Sequence, residues 1–157
     1  MPEKRFMAMA IEEAHDGIKA DHGGPFGAAV VKNGRVLAVA HNTVLRDNDP
    51  TRHAEIKALS GAAKELGTFD LSGCDIYSTT EPCPMCFSAV HWARVSRLIY
   101  GTDIGDVIEL GFHEMPIPVS EMKDRGGSEV EIISGFMRGE CEELLRFWEA
   151  SPGKRVY

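Results

Sequence analysis

Apolar residues open the chain at helical spacing: Phe6, Met9, Ala10, Ala14 and Ile18 share one face of a helix over residues 5–20. Asp21-His22-Gly23-Gly24 ends it, because glycine frees the backbone from the helix. The period then shortens. Two largely apolar runs, 26–32 and 35–40, flank Asn33-Gly34, and Asn-Gly between such runs is the strongest short-range signal for a β-hairpin. A polar loop over 42–50 leads to a second helix over 52–65, with Thr51 placed as its N-cap. Residues 75–79 read as a buried strand, and 84–93 as a third helix with Pro84 in its first turn. A strand over 97–101 and a short helix over 103–110 follow. Residues 111–128, rich in Gly, Pro and charge, predict an ordered loop; a strand over 129–134 and a closing helix over 138–150 complete the pattern. Alternating strands and helices predict an α/β layered domain with a partly parallel sheet. No repeat, low-complexity tract or linker interrupts residues 1–157, so one domain is expected.

Composition narrows the setting. A chain of 157 residues buries a core without disulfide staples, and 43% hydrophobic with 26% charged residues is ordinary for a soluble domain. No apolar run approaches the roughly 20 residues that span a bilayer. Met1-Pro2-Glu3-Lys4-Arg5 leads into a charged amphipathic segment, not a signal-peptide stretch, so a cytoplasmic, reducing location is expected. There, a C-x-x-C pair reads as metal-binding or catalytic sooner than as a bridge. The net charge of −7 arises wholly after residue 52: residues 1–52 hold seven basic and seven acidic groups, residues 53–157 ten and seventeen. Phosphate contacts need a basic face, and none is evident, which disfavours a nucleic-acid partner.

The chemistry concentrates in His53-Ala54-Glu55 and Pro82-Cys83-Pro84-Met85-Cys86. Zinc prefers imidazole and thiolate, and catalytic sites commonly keep three protein ligands plus a water. Cys83 and Cys86, three apart at the start of a helix, can face the same way; His53 opens another. Helix N-termini converging on one point favour thiolates there. Glu55, two residues from His53, falls on a different side of its helix and would approach the activated water laterally, free to move protons. The alternative is a closed structural site, with Cys74 or Cys141 completing a tetrahedron around His53, Cys83 and Cys86. Cys74 and Cys141 otherwise read as small buried hydrophobes. His15, His22, His41, His91 and His113 carry no spacing signal and read as surface or structural.

H-x-E followed by P-C-x-x-C resembles the signature of the zinc-dependent nucleobase and nucleoside deaminases, and the resemblance spans nearly the whole chain. It implies one zinc on His53, Cys83 and Cys86, with Glu55 as proton carrier, in the three-layer α/β/α cytidine deaminase-like fold with a mixed sheet of about five strands. Within that superfamily the chain is similar to the bacterial guanine deaminases. The matching text is Gly23-Gly24-Pro25-Phe26-Gly27-Ala28, Asn42, Asn48-Asp49-Pro50-Thr51, Glu81 to Cys86, Trp92-Ala93-Arg94 and the terminal Tyr157. The resemblance implies that Phe26 packs on the purine face, that Asn42 bonds the ring edge, and that a backbone group beside Ala54 helps. It also implies a C-terminal segment, sometimes exchanged with the partner chain, that covers the site with Tyr157, and hence a homodimer acting on a free nucleobase.

Other roles suit the same residues. Phe26 also fits core packing, Asn42 a cap of the following loop, Trp92 either the core or the pocket wall, and Tyr157 a frayed terminus. Where similar guanine deaminases tend to show Gly-Phe-Asp-Asp, this chain has Gly111-Phe112-His113-Glu114. Glu114 keeps a carboxylate for the base's amino or ring N–H groups on a longer arm, which leaves room for a triazine, another aminated base or a nucleoside. The segment 130–145 resembles instead the ending of the tRNA adenosine deaminases. Those enzymes tend to have a basic tail, whereas residues 138–157 hold four basic and four acidic groups.

Overall fold

A computed structural model describes residues 1–157. Helix α1 (Lys4–Lys19) turns Phe6, Met7, Ala10, Ala14, Gly17 and Ile18 inward. Met9, expected on that face, is exposed and Met7 takes its place, because the apolar stripe is centred one position earlier. Strands β1 (Gly27–Lys32) and β2 (Arg35–His41) form the hairpin read from Asn33-Gly34. Both turn residues have positive φ, 50° and 75°, the backbone that a tight primed turn demands and that Asn and Gly tolerate.

The polar loop contains a four-residue helix, α2 (Val44–Asp47), and the second long helix, α3 (Ala54–Leu66), starts later than read, with His53 rather than Thr51 at its N-cap. Strand β3 (Cys74–Thr80) runs into helix α4 (Pro84–Trp92), strand β4 (Arg97–Thr102) and helix α5 (Ile104–Glu109). The segment expected to be loop holds helix α6 (Val119–Gly126), a short amphipathic turn whose charges concealed its single buried anchor, Val119. Strand β5 (Glu131–Ile133) and helix α7 (Arg138–Glu149) close the chain.

The five strands lie in the order β2-β1-β3-β4-β5. β1 pairs antiparallel with β2 and β3; β4 pairs parallel with β3 and β5. The sheet is mixed, and helices cover both faces. Alternation along β1 shows why: Ala28 and Val30 pack with Ala58, Leu59, Phe87 and Val90 of α3 and α4, while Ala29 and Val31 pack with Phe6, Met7 and Cys141 of α1 and α7. Both sets are buried, so the strand reads as a continuous apolar run instead of alternating. No helix is long and apolar enough to cross a membrane.

Candidate active site

The C-terminal end of β3 and the N-termini of α3 and α4 meet at one place. His53 and Cys83 are the N-cap residues of α3 and α4, each in extended backbone, and neither side chain bonds back to its own helix. Helix starts usually spend that side chain on their free N–H groups; here both point away, toward each other. His53 Nδ1 lies 3.6 Å from Cys83 Sγ and 3.4 Å from Cys86 Sγ, and the donor atoms of the three all lie within 4.8 Å of one another. Bonds of about 2.3 Å to sulfur and about 2.05 Å to nitrogen, meeting at a tetrahedral angle, would set such donors about 3.5 Å apart. The donor set and its spacing fit zinc.

The closed alternative lacks its fourth ligand. Cys74 and Cys141 are buried within the core clusters on opposite faces of the sheet. Burial opposes the charged form of Cys74, and drives the Cys141 thiol up to about 12.

The neighbouring Cys86 thiol, with His53 alongside, holds Cys83 down to about 4, while the Cys83 contact and burial push Cys86 well above the usual thiol range. Burial alone would lower His53, but Cys83 and Glu55 outweigh it and raise the imidazole. Glu55 sits in the first turn of α3, 6% exposed. Its Oε1 accepts from Ser78 Oγ at 3.2 Å, and its Oε2 lies 3.5 Å from Cys86 Sγ. Burial raises its pKa above the ordinary carboxyl value, which suits a group that must both take and give protons.

These residues open onto a cleft of about 330 Å³, lined also by Phe26, Val44, Pro50, Phe112, Glu114 and Tyr157. Phe112 is the aromatic pivot: its ring meets Phe26 at 5.3 Å and Tyr157 at 5.2 Å, both edge-on, and lies 5.0 Å from Trp148. The C-terminal segment folds over its own cleft. Tyr157 Oη accepts from Gly24 N–H at 3.4 Å, and the His113 N–H donates to the Tyr157 carbonyl at 2.9 Å. Burial pushes the Glu114 carboxyl up to about 7, so near neutrality it offers both a donor and an acceptor.

Three candidates lie off the cleft surface. Asn42, 1% exposed, accepts from the Val44 N–H at 3.0 Å through Oδ1, and its Nδ2 is buried with no partner. An unmatched buried amide is costly, and one ring acceptor would satisfy it. Ala54 has its side chain in the core beside Ala28 and Ala58. Trp92 is neither core nor pocket wall: it is 80% exposed, bordering an apolar groove with Ile56 and Phe69. The buried side of α4 is Cys86, Phe87 and Val90, and a residue two beyond Val90 is turned about 200° from it.

Glu81 and Phe112 complete the site without having been singled out. Glu81, buried, accepts from the Ile104 N–H at 2.9 Å and the Val119 N–H at 2.8 Å, tying the starts of α5 and α6 to the strand end that precedes Cys83. An acidic residue directly after a buried strand was the signal available.

Comparison with known proteins agrees with this geometry. The profile of the cytidine and deoxycytidylate deaminase zinc-binding region matches residues 1–102. Guanine deaminase of Bacillus subtilis is 42% identical over 114 residues, 73% of each chain. A tRNA-specific adenosine deaminase of Agrobacterium fabrum is 36% identical over 143 residues, 90% of each. The solved guanine deaminase of Nitrosomonas europaea superposes with a TM-score of 0.86 at 35% identity, covering 95% of this chain and 85% of that one. Ligand triad, buried carboxylate and fold together place this chain in the cytidine and deoxycytidylate deaminase family, as a zinc-dependent hydrolytic deaminase.

Proposed function

We propose that this chain, acting as one domain over residues 1–157 with one zinc, converts guanine and water to xanthine and ammonia. The observation that carries the reading is the cleft itself. Its volume of about 330 Å³ is lined by the aromatic rings of Phe26, Phe112 and Tyr157 and by a carboxyl of raised pKa, Glu114. A flat, hydrogen-bond-rich base suits such a mostly apolar pocket with few convergent polar groups.

His53, Cys83 and Cys86 would hold the zinc, which when bound would supply Lewis-acid activation of water. Glu55 takes the proton from the attacking water and delivers it to the ring nitrogen beside the carbon under attack. The same carboxyl then takes the proton of the hydroxyl added at that carbon and passes it to the amine, so the carbonyl forms as the C–N bond breaks with its electron pair leaving on ammonia. Ser78 orients the Glu55 carboxyl through Oε1, leaving Oε2 on the side of the metal ligands. Phe26 and Phe112 hold the ring plane, Asn42 Nδ2 supplies an unused donor, and Glu114 meets the base's N–H groups.

The relative from A. fabrum, which spans more of this chain, favours a second reading, deamination of adenosine in a tRNA anticodon loop. Against it stand the net charge of −7 and a cleft overlaid by the chain's own C-terminal segment. His113-Glu114 leaves a triazine, another base or a nucleoside as alternatives within the same chemistry. We read the enzyme as a cytoplasmic homodimer of purine metabolism, its C-terminal segment closing a cleft in cis, as here, or by exchange. The test is ammonia release from guanine, guanosine, adenine, cytosine, cytidine, ammeline and an anticodon stem-loop. Guanine should be turned over with the highest kcat/KM; fast turnover of another member with guanine inert rejects the assignment.

A further inference from the structure

A second chain of titratable side chains runs beside the cleft, on residues that no spacing pattern singled out. Glu13 of α1 lies 2.7 Å through Oε1 from His41 Nδ1, and His41 Nε2 lies 2.8 Å from His22 Nδ1. The two imidazoles stack, with centroids 5.1 Å apart. Gly17 lets α1 lie flat on this pair: a methyl there would fall 2.5 Å from His41 Cδ2. Lys57, one turn along α3 from His53, donates to the His41 carbonyl at 3.1 Å.

The array connects the segments that build one end of the cleft. His22 leads directly into Gly23-Gly24, and His41 into Asn42. Gly23 is pressed against Asn42, where a methyl would lie 2.1 Å from Oδ1, and the Gly24 N–H reaches Tyr157. The His22 carbonyl accepts from the Leu45 and Arg46 N–H groups at 3.1 and 3.0 Å, fastening α2, whose Val44 lines the cleft. We infer that Glu13, His41 and His22 are positioning residues that hold Asn42 and Gly24 in place for the base, an inference that rests on the proposed role of Asn42.

Proton counting gives the array a signature. With His41 Nδ1–H donating to the Glu13 carboxylate, the Nε2···Nδ1 contact holds one proton. The next proton goes to His22 Nε2, which no hydrogen bond occupies, and makes His22 a cation beside Arg46 of α2 and Lys57 of α3, with Asp47 of α2 opposing them. Burial, His41 and these cations keep His22 below its ordinary value. Acidification therefore sets like charges against each other where His22 meets α2 and α3, and so loosens the Gly23–Asn42 wall. Base binding weakens, while the proton transfers of Glu55 proceed on other residues.

His22→Asn keeps a polar atom where Nδ1 stood but accepts no proton. In the zinc-loaded wild type, KM should rise by about tenfold per pH unit below the protonation of His22, as one linked proton requires, on top of the change that Glu114 contributes; in His22→Asn the rise should shrink to the Glu114 part, while the pH dependence of kcat keeps its shape. Proton NMR of the Asn42 side-chain amide in the substrate-free enzyme should titrate with the same midpoint, and cease to do so in the variant. Glu13→Gln, which removes the charge favouring a cationic pair, should move the midpoint to lower pH. KM profiles that superpose, an Asn42 signal that does not titrate, or kcat and KM shifting together in His22→Asn overturns the inference. Because the NMR arm needs no substrate, a failure of guanine turnover rejects the proposed substrate while the array is still judged.

Discussion

Removing the Glu81 carboxylate strikes the joint between the metal motif and the cleft wall. Glu81 Oε2 and Oε1 accept from the first N–H groups of α5 and α6, at Ile104 and Val119, with the side chain only 6% exposed. Hydrogen bonds to a charged group contribute about 1.5–3 kcal/mol each, and a donor left buried without a partner costs a similar amount. Glu81→Ala strips the partner from two buried donors at once, so a loss of about 3–5 kcal/mol follows. At roughly 2–4 °C per kcal/mol for a domain of this size, the melting temperature should fall by roughly 6–20 °C. Glu81→Gln keeps one carbonyl oxygen and should lose about half of that. Because α5 and α6 flank the segment that carries Glu114, the Gln variant should also raise KM while retaining zinc. Scanning calorimetry of the zinc-loaded proteins decides it. An Ala variant melting within about 2 °C of wild type would refute the claim that this carboxylate holds the two helix starts.

Other consequences reach different parts of the molecule. Gly27→Ala puts a methyl 1.9 Å from the Ala10 carbonyl oxygen and 3.0 Å from Ala14 Cβ, so α1 must leave β1; a loss of more than about 3 kcal/mol is expected, and a wild-type urea midpoint would contradict it. Glu114, with its carboxyl raised to about 7 by burial, stabilises the fold in its neutral form: its contribution is full below the ordinary carboxyl value and is lost as pH rises toward 7. The melting temperature of Glu114→Gln should therefore gain on wild type across that window, and a constant difference would rule this out. Deleting residues 150–157 removes Tyr157 from Phe112 and Gly24 but leaves the sheet intact, so kcat/KM should fall far more than the melting temperature; full activity in the truncated enzyme would count against a role for the tail.

How much of this was legible depended on the kind of signal. The hairpin was readable because Asn33-Gly34 specifies a turn by local backbone chemistry alone. The candidate metal site was readable because zinc calls for residue type and spacing together, and the structure brings His53, Cys83 and Cys86 to one place. Helix α6 was hidden because a solvent-facing helix of eight residues with one buried anchor has almost no periodic signal. Trp92 was misplaced because residue type says nothing of which way a helix is rotated; the burial of Cys86, Phe87 and Val90 decides that. Glu81 and the Glu13–His41–His22 array escaped for a different reason: their meaning lies in partners between 19 and 38 positions away, and no local pattern records such a pairing. Asn42 was singled out by resemblance, and its unpartnered Nδ2 is a property that only the fold displays.

The most direct test of the central claim is formation of xanthine from guanine by zinc-loaded wild type and Glu55→Gln, with zinc content measured on both. The account predicts equal zinc, an unaltered melting profile near neutrality, and a fall in kcat of about 10²–10⁴-fold in the variant, the usual contribution of a positioned acid–base group. Guanine turnover that survives the loss of Glu55 with zinc still bound would contradict it.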